Sequence, residues 1–495
     1  MGEWTELERT LEGLLAAGNV EVHEDGEWLP EFTGLRYELR ATGKAPMIHL
    51  WSGERNLVRR ILRVAECAPG QVVLEVQRFG RSRPGRLELV CADAPRPAGR
   101  LAREKFRARF RRMLAERFPD ARVESLTTAP DLEHTFSGRY TRGMLVERGR
   151  GWAVLAASAQ EDAAAVDGAL GFGLIWLDAV RQRVERRAVE GLRLFLPEGA
   201  GRITRHRLTG IVPSAHIELY EFDEAGARAE RVEASDAGNL ESWLTPRREV
   251  EGTLAAAREA VERIRALGTP ATDAIDAVVS PGTRQVAVRF RGLEFARWDQ
   301  GQVLFGLGDE RRALEAETWP ELEEIVRELG ERRRAASEEL HHALYRAAAE
   351  RWLETKLFAD PTCLDAQLDA RHLYSQVPAL SAGDRGVIDL LGVTRAGRLV
   401  VIELKASEDL QLPLQALDYW LRVRRHHAQG DFPRYGYFTG VELDPRPPLM
   451  WLAAPGLRFH PMTDVLLRYL APDVQVTRVG LNEGWRHKVQ VIFRM

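Results

Sequence analysis

The residues with the clearest chemical potential lie at 385–407, in the run Arg-Gly-Val-Ile-Asp-Leu-Leu-Gly-Val-Thr-Arg-Ala-Gly-Arg-Leu-Val-Val-Ile-Glu-Leu-Lys-Ala-Ser. Two β-rich segments, 387–393 and 399–405, flank the five residues 394–398, whose Gly397 suits a hairpin turn. With Ala396 at the turn centre, Asp389 stands seven residues before it and Glu403 seven after. Antiparallel pairing then sets the two carboxylates opposite each other, with Cβ atoms ~4.5–5.5 Å apart. Lys405, two residues beyond Glu403, shares their face, while Val400, Ile402 and Leu404 form an apolar opposite face.

Like charges facing each other on a sheet destabilise it, and burying carboxylates among Val, Ile and Leu costs more. A hard cation such as Mg²⁺ or Mn²⁺ would offset that cost, since it takes one or two carboxylates plus waters and phosphate oxygens. A neighbouring amine can orient or deprotonate the attacking water, or meet charge developing on phosphate. Asp389, Glu403 and Lys405 therefore form a candidate phosphodiester-cleaving centre. The alternative is a structural ion cluster in which both carboxylates are bonded to Lys405 and Arg385.

The chain from about residue 336 to Met495 resembles the PD-(D/E)XK nuclease superfamily, with its motifs in the expected order. A helix over 338–357 precedes the hairpin and carries Glu350, with Glu354 as the reserve, where family members often place a glutamate that helps build the site. Asp389 matches the first aspartate, although Ile388 replaces the proline of the family's name. Glu403-Leu404-Lys405 matches the E-x-K element, and Gln415-Ala-Leu-Asp-Tyr419 is similar to the Q-x-x-x-Y motif of recombination-type members. The resemblance implies a restriction-endonuclease-like αβ sandwich with a central mixed sheet. It implies that Asp389 and Glu403 hold Mg²⁺ (or Mn²⁺), with the Leu404 carbonyl as a third ligand. Lys405 would position the water, and Glu350 would support the site or reach a second metal through water. Gln415 and Tyr419 would fix the following helix and the phosphate backbone. That helix would run along DNA, so that Arg422, Arg424, Arg425 and Arg385 contact phosphates. The three helix cations could instead simply complement the dipole of the helix end. The activity implied is metal-dependent DNA hydrolysis, in repair or defence. Cleavage of RNA, or an inactive binding protein on the same fold, is the rival reading.

The rest of the chain must position this centre. Residues 1–118 read as a mixed α/β module, with a helix at 4–15, alternating strands, and a cation-rich helix at 103–118 around Phe106, Phe110, Met113 and Leu114. That helix is either a second DNA contact or a solvated amphipathic helix. Residues 119–268 read as strand, hairpin, helix, strand and a long helix at 253–267. Residues 269–335 read as a hairpin (285–290 with 303–307) and a charged linking helix at 321–334, and 336–495 as the nuclease-like domain.

An outline repeat links 142–158 to 385–407: Arg-Gly, apolar strand, turn, apolar strand, Ala-Ser. Anchored on Ala-Ser, it puts Val154 and Ala156 at the Glu403 and Lys405 positions. Anchored on the turn, it puts Ala156 and Ser158 there, with Arg142 opposite Asp389. Neither restores the carboxylates. The 119–268 segment is then a nuclease-like fold without chemistry, unless the likeness is a chance one. His341-His342 and His426-His427 lack the i, i+4 spacing of a helical metal site and read as surface residues.

Bulk composition narrows the classes further. The 495 residues are 45% hydrophobic and 29% charged, a prior of roughly three domains. The net charge of −3, from 70 basic and 73 acidic side chains, excludes a supercharged coat protein. Five of the 70 basic residues are lysines, leaving 65 arginines, so Lys405 stands where this chain nearly always uses arginine. Cys67, Cys91 and Cys363 form no C-x-x-C pair, against a disulfide framework or structural zinc. There is no phosphate-binding G-x-x-x-x-G-K-[ST], so no nucleotide cofactor is expected. The charged N-terminus does not read as a signal peptide, and Asp167, Asp178 and glycines interrupt the longest apolar stretch, 163–180. The expectation is a cytoplasmic protein acting on DNA, away from membranes, with a homodimer left open.

Overall fold

The computed structural model describes residues 2–495 apart from 17–19, 25–26, 30–34, 41–45, 53–55, 69–70, 78–84, 92–96, 132–134, 137, 184–186, 224–227, 235–243, 268–273, 308–310, 338, 341 and 379–385. Among the described residues the chain forms eleven α-helices and four β-sheets, a mixed α/β architecture. Helix α1 (Gly2–Ala16) buries Leu7, Leu11 and Leu14 as one stripe at helical spacing. It packs on an antiparallel sheet of β1 (Val20–Glu24), β2 (Glu27–Leu29), β3 (Arg36–Arg40), β4 (Met47–Trp51), β5 (Asn56–Ala68), β6 (Gln71–Gln77) and β7 (Gly85–Cys91).

A mixed six-stranded sheet follows. Its elements are α2 (Pro97–Arg117), β8 (Ala121–Thr127), β9 (Tyr140–Glu147), β10 (Arg150–Ala157), α3 (Ala163–Arg183), β11 (Val189–Pro197), α4 (Arg202–Leu208), β12 (Ile217–Asp223) and β13 (Arg228–Val232). The spatial order is β13-β12-β11-β10-β9-β8, parallel where β11 joins β10 and β12, antiparallel elsewhere. Period-two alternation splits β10 between two cores. Val154 and Ala156 meet Phe106, Phe110, Met113 and Leu114 of α2, while Ala153 and Leu155 meet α3. The apolar stripe of the cation-rich helix is thus spent on the sheet. Helix α3 is long and apolar enough to cross a bilayer despite its two aspartates, and 72% of its most apolar window is buried inside the protein.

The third sheet is an antiparallel meander of β14 (Ile275–Val279), β15 (Gln285–Phe290), β16 (Leu293–Asp299), β17 (Gln302–Phe305) and β18 (Arg312–Ala313). It shares one core with α5 (Arg247–Arg265) and α6 (Trp319–Arg332). Two expectations change here. The strands expected to pair as a hairpin, β15 and β17, each pair with the intervening β16. Helix α5, expected with the preceding segment, packs across that boundary on the meander.

The C-terminal elements are α7 (Ala343–Arg346), α8 (Ala349–Ala359), β19 (Tyr374–Pro378), β20 (Val387–Val393), β21 (Leu399–Leu404), α9 (Leu412–Ala428), α10 (Asp431–Arg434), β22 (Leu449–Pro455), α11 (Thr463–Leu467), β23 (Gln475–Leu481) and β24 (Val491–Arg494). The expected helix at 338–357 is broken, because Ala348 takes a left-handed conformation (φ 46°) between α7 and α8. The sheet runs β19-β20-β21-β22-β23-β24, parallel only where β22 joins β21 and β23. Helix α8 covers one face through Trp352, Leu353 and Leu357 against Val400, Ile402 and Leu404. Helix α9 covers the other through Tyr419 and Val423 against Leu399 and Val401.

Candidate active site

The hairpin turn fixes the geometry. Thr394 N–H donates to the Arg398 carbonyl (2.8 Å) and Gly397 N–H to the Thr394 carbonyl (2.8 Å). Gly397 sits at φ +82°, and a Cβ there would stand 2.1 Å from the Glu442 carbonyl oxygen, so only glycine closes this turn. The resulting register pairs Leu390 with Ile402 and Leu391 with Val401. Continued by one residue, it sets Asp389 across from Glu403, as the turn length predicts. Strand β21 is buried from end to end, between β20 and β22 and between two helices. Its apolar side chains are each worth about 1.5–3 kcal/mol of burial, and this offsets the cost of the one carboxylate carried among them.

That carboxylate is Glu403, 2% exposed. Its Oε1 lies 3.5 Å from Lys405 Nζ, and its Oε2 is buried with no hydrogen-bond partner. Burial, then the facing Asp389, push its carboxyl well above the ordinary range. Asp389 Oδ2 accepts from the Leu404 N–H (3.0 Å) and Oδ1 from Arg351 (3.1 Å). Burial raises Asp389 too, against the opposing pull of Arg351 and the Leu404 N–H. Lys405 Nζ stands 3.5 Å from Glu403, 3.8 Å from Glu350 and 3.8 Å from Asp409. Burial works to lower its pKa, but the surrounding carboxylates outweigh it and the ammonium is held above its usual value. Lys405 is therefore a fixed cation, suited to orienting water and meeting negative charge. Deprotonating the water, the other role weighed for it, is not what this environment favours.

Of the two helix glutamates, Glu350 faces the cluster, partly exposed, with its pKa raised by burial. Glu354 is tied up elsewhere: 1% exposed, it accepts from Arg351 (2.8 Å) and Gln376 Nε2 (2.5 Å). Gln415 Nε2 reaches Tyr419 Oη at 3.5 Å. The Tyr419 hydroxyl is pushed up by burial and then by the charge of Glu403. Arg351 and Asp409 are members of the cluster that motif spacing missed, and Gln376 holds Glu354 beside it. Only the position of Arg351 next to Glu350 could have signalled one of them.

The expected DNA-facing cations fare differently. Arg422 is 2% exposed and belongs to the interior, because α9 is enclosed on nearly all sides, so it is removed as a phosphate contact. Arg424 pairs with Asp473 (2.9 Å) and stacks on Trp420 (4.7 Å). Arg425, half-buried, stands in the last turn with His426 and His427, where cations complement the helix end. Arg385 lies outside the described residues. His426, read as a surface residue, is instead buried against Asp431 (2.7 Å). His341 lies outside the described residues, and His342 caps α7 by accepting from the Leu344 N–H.

Among the described residues no group of three or more His, Cys, Asp or Glu side chains converges as a ready metal cluster. A hard cation needs fewer protein ligands than that. The orphaned Glu403 Oε2, the facing Asp389, and an excess of carboxylates over cations fit a divalent ion between them. Beside the site, Glu350 and Arg351 line a cleft of about 2430 Å³, whose lining passes from Gln376 and Ser407 to Arg346, Arg486 and Tyr345 and on to Arg297, Arg311, Tyr37 and Trp51.

No family model matches the chain, and no curated protein matches it. Among solved structures it is similar to one described as the crystal structure of a repair endonuclease from Pyrococcus abyssi. That likeness has 14% identity and a TM-score of 0.17, and covers 44% of this chain and 95% of that one.

Proposed function

We propose that the chain is a divalent-metal-dependent nuclease that hydrolyses DNA phosphodiester bonds at the Asp389–Glu403–Lys405 centre. The observation that carries this reading is the buried, unpartnered Glu403 Oε2, across from a second buried carboxylate and beside a lysine held as a cation. Buried carboxylate oxygens are usually hydrogen-bonded. Glu354 Oε1 is orphaned too but lies 3.7 Å from Arg289, whereas Glu403 faces a second carboxylate, which favours a bound cation over a structural ion cluster. Asp389 and Glu403 would hold Mg²⁺ or Mn²⁺, with the Leu404 carbonyl as a further ligand. When bound, the ion supplies Lewis-acid charge beside the phosphate. The Lys405 ammonium, fixed by Glu403, Glu350 and Asp409, orients the attacking water and meets charge developing on the phosphate. Glu350, more exposed than its neighbours and raised in pKa, is placed to take up a proton from that water. Gln415 and Tyr419, in contact with each other on α9, would steady the first turns of that helix beside the carboxylates.

The cleft supports a nucleic-acid substrate, since it combines arginines such as the exposed Arg346, which can track a phosphate backbone, with the partly exposed Tyr37 and Trp51, on which bases can stack. Its far walls come from the N-terminal sheet and the meander, which would then contribute to substrate choice. The test incubates wild type and Lys405→Ala with end-labelled single-stranded, duplex, flapped and mismatched DNA and with RNA, each with and without Mn²⁺. Metal-dependent DNA cleavage lost in the variant is the expected result. Equal activity in both proteins, or none on any substrate, would overturn the proposal. Cleavage confined to RNA would retain the centre and change its substrate.

A further inference from the structure

The middle and C-terminal sheets are built on one plan. The order α2-β8-β9-β10-α3-β11-α4-β12-β13 is repeated as α8-β19-β20-β21-α9-β22-α11-β23-β24, with the four-residue α10 added after α9 in the second. Each successive strand pair has the same sense in both: two antiparallel, two parallel, one antiparallel.

The two copies also meet reciprocally. Helices α3 and α9 share a single core, α4 packs on α9, and α11 packs on α3. Just beyond α4 and α11 the chain makes an antiparallel bridge, Ile211 with Leu470. Val212 N–H donates to the Tyr469 carbonyl (2.9 Å), and Ala471 N–H returns a bond to the Gly210 carbonyl (2.8 Å). Arg207 of α4 grips Asp418 of α9 (2.7 Å), and Arg468 at the end of α11 grips Asp178 of α3 (3.1 Å). Exchange of like contacts in both directions is the mark of a two-fold dimer interface. Here both halves belong to one chain. Gly168 and Gly171 of α3 permit the close approach, since a Cβ at either would crowd Gln411 or Leu414 at 3.1–3.3 Å.

The chemistry is not duplicated. In the β9–β10 hairpin the pair that faces α3, at nearly the same distance from the turn as Asp389 and Glu403, is Arg142 with Leu155. Arg142 is 3% exposed, its guanidinium over Phe136 (4.5 Å) and Trp176 (5.4 Å). Leu155 and Ala157 stand where Glu403 and Lys405 stand in the other copy. The observed register thus replaces both alignments drawn from sequence, which put Val154 and Ala156, or Ala156 and Ser158, at those positions.

We propose that residues 97–232 are a catalytically silent copy of the C-terminal unit, and that the two copies form within one chain the pair that a homodimer would otherwise supply. The protein then works as a monomer with one centre and breaks one strand of a duplex per encounter. This rests on the nuclease reading for its product but not for its assembly, so two measurements are needed. Sedimentation of the full chain should give the mass of one chain; a dimer overturns the proposal. With supercoiled plasmid and Mn²⁺, nicked circles should accumulate before linear DNA, and Asp389→Asn should lose all cutting. Linear DNA appearing as fast as supercoiled DNA disappears, or nicking that survives Asp389→Asn, would also overturn it, because each requires a second centre. If no plasmid is cut at all, the nuclease reading fails, and the sedimentation result still decides the pairing.

Discussion

Replacing Glu403 by glutamine should stabilise the metal-free protein while destroying its metal response. The side chain keeps its size, so no cavity forms. What is removed is a carboxylate that is 2% exposed, faces Asp389, and leaves Oε2 without a partner. An unsatisfied buried polar group costs about 1–3 kcal/mol, more when charged. At roughly 2–4 °C per kcal/mol for a domain of 150–250 residues, a rise in Tm of several degrees follows. The sign of the pH dependence is fixed by the direction of the shifts. Asp389 and Glu403 are both raised, so the folded state binds these protons more tightly than the unfolded chain does. Metal-free stability should therefore be highest at and below the ordinary carboxylate pKa of about 4.3. It should fall as pH rises through the elevated folded values and stay low above them. Glu403→Gln removes the larger part of that slope. The assay is thermal unfolding from pH 5 to 8, with EDTA and with excess Mn²⁺. Wild type should gain stability from Mn²⁺ at neutral pH and the variant should not. A variant less stable than wild type in EDTA at pH 8, or one equally stabilised by Mn²⁺, would refute the reasoning.

Lys405→Ala should reduce cleavage by ~10²–10³-fold, the loss typical of removing a preorganised charge donor. Lys405→Arg should not rescue it, because a planar guanidinium cannot occupy the point between three carboxylates; single-turnover rates check both. Gly397→Ala should destabilise by at least about 1–3 kcal/mol, from a left-handed backbone and a clash with Glu442. Gly430→Ala, with similar φ but open space, should cost less, and denaturant midpoints compare the two. Arg207→Ala strands the buried Asp418 and should cost about 3–5 kcal/mol. Urea unfolding should show that loss in both αβ copies together, since the pair joins them.

The geometry of the candidate centre was legible in the sequence where it depends on local spacing. A five-residue turn and two alternating strands determine which residues face each other, so the opposition of Asp389 and Glu403 follows from counting. Lys405 follows from strand parity. What was not legible depends on chain brought from elsewhere. Arg351 reaches Asp389 from α8, and Gln376 reaches Glu354 from β19, and no spacing rule links these segments. Arg422 looked available because the end of α9 is rich in cations. Yet Leu414, Leu417, Trp420, Leu421 and Val423 leave this helix little polar face, a pattern that signals burial on several sides. The surface that encloses it comes from α3 and α4, in the middle copy. The outline repeat at 142–158 was the one trace of that copy. Strand register, which a glycine-rich turn leaves open by one residue, decided which side chains stand at the positions of Asp389, Glu403 and Lys405.

The most direct test of the proposed centre is the single-turnover rate of DNA cleavage against Mn²⁺ concentration, for wild type and Asp389→Asn. The account predicts a saturable, metal-dependent rate in the wild type and no detectable rate in the variant at any Mn²⁺ concentration. Cleavage that persists in Asp389→Asn, or that proceeds equally in EDTA, would contradict it.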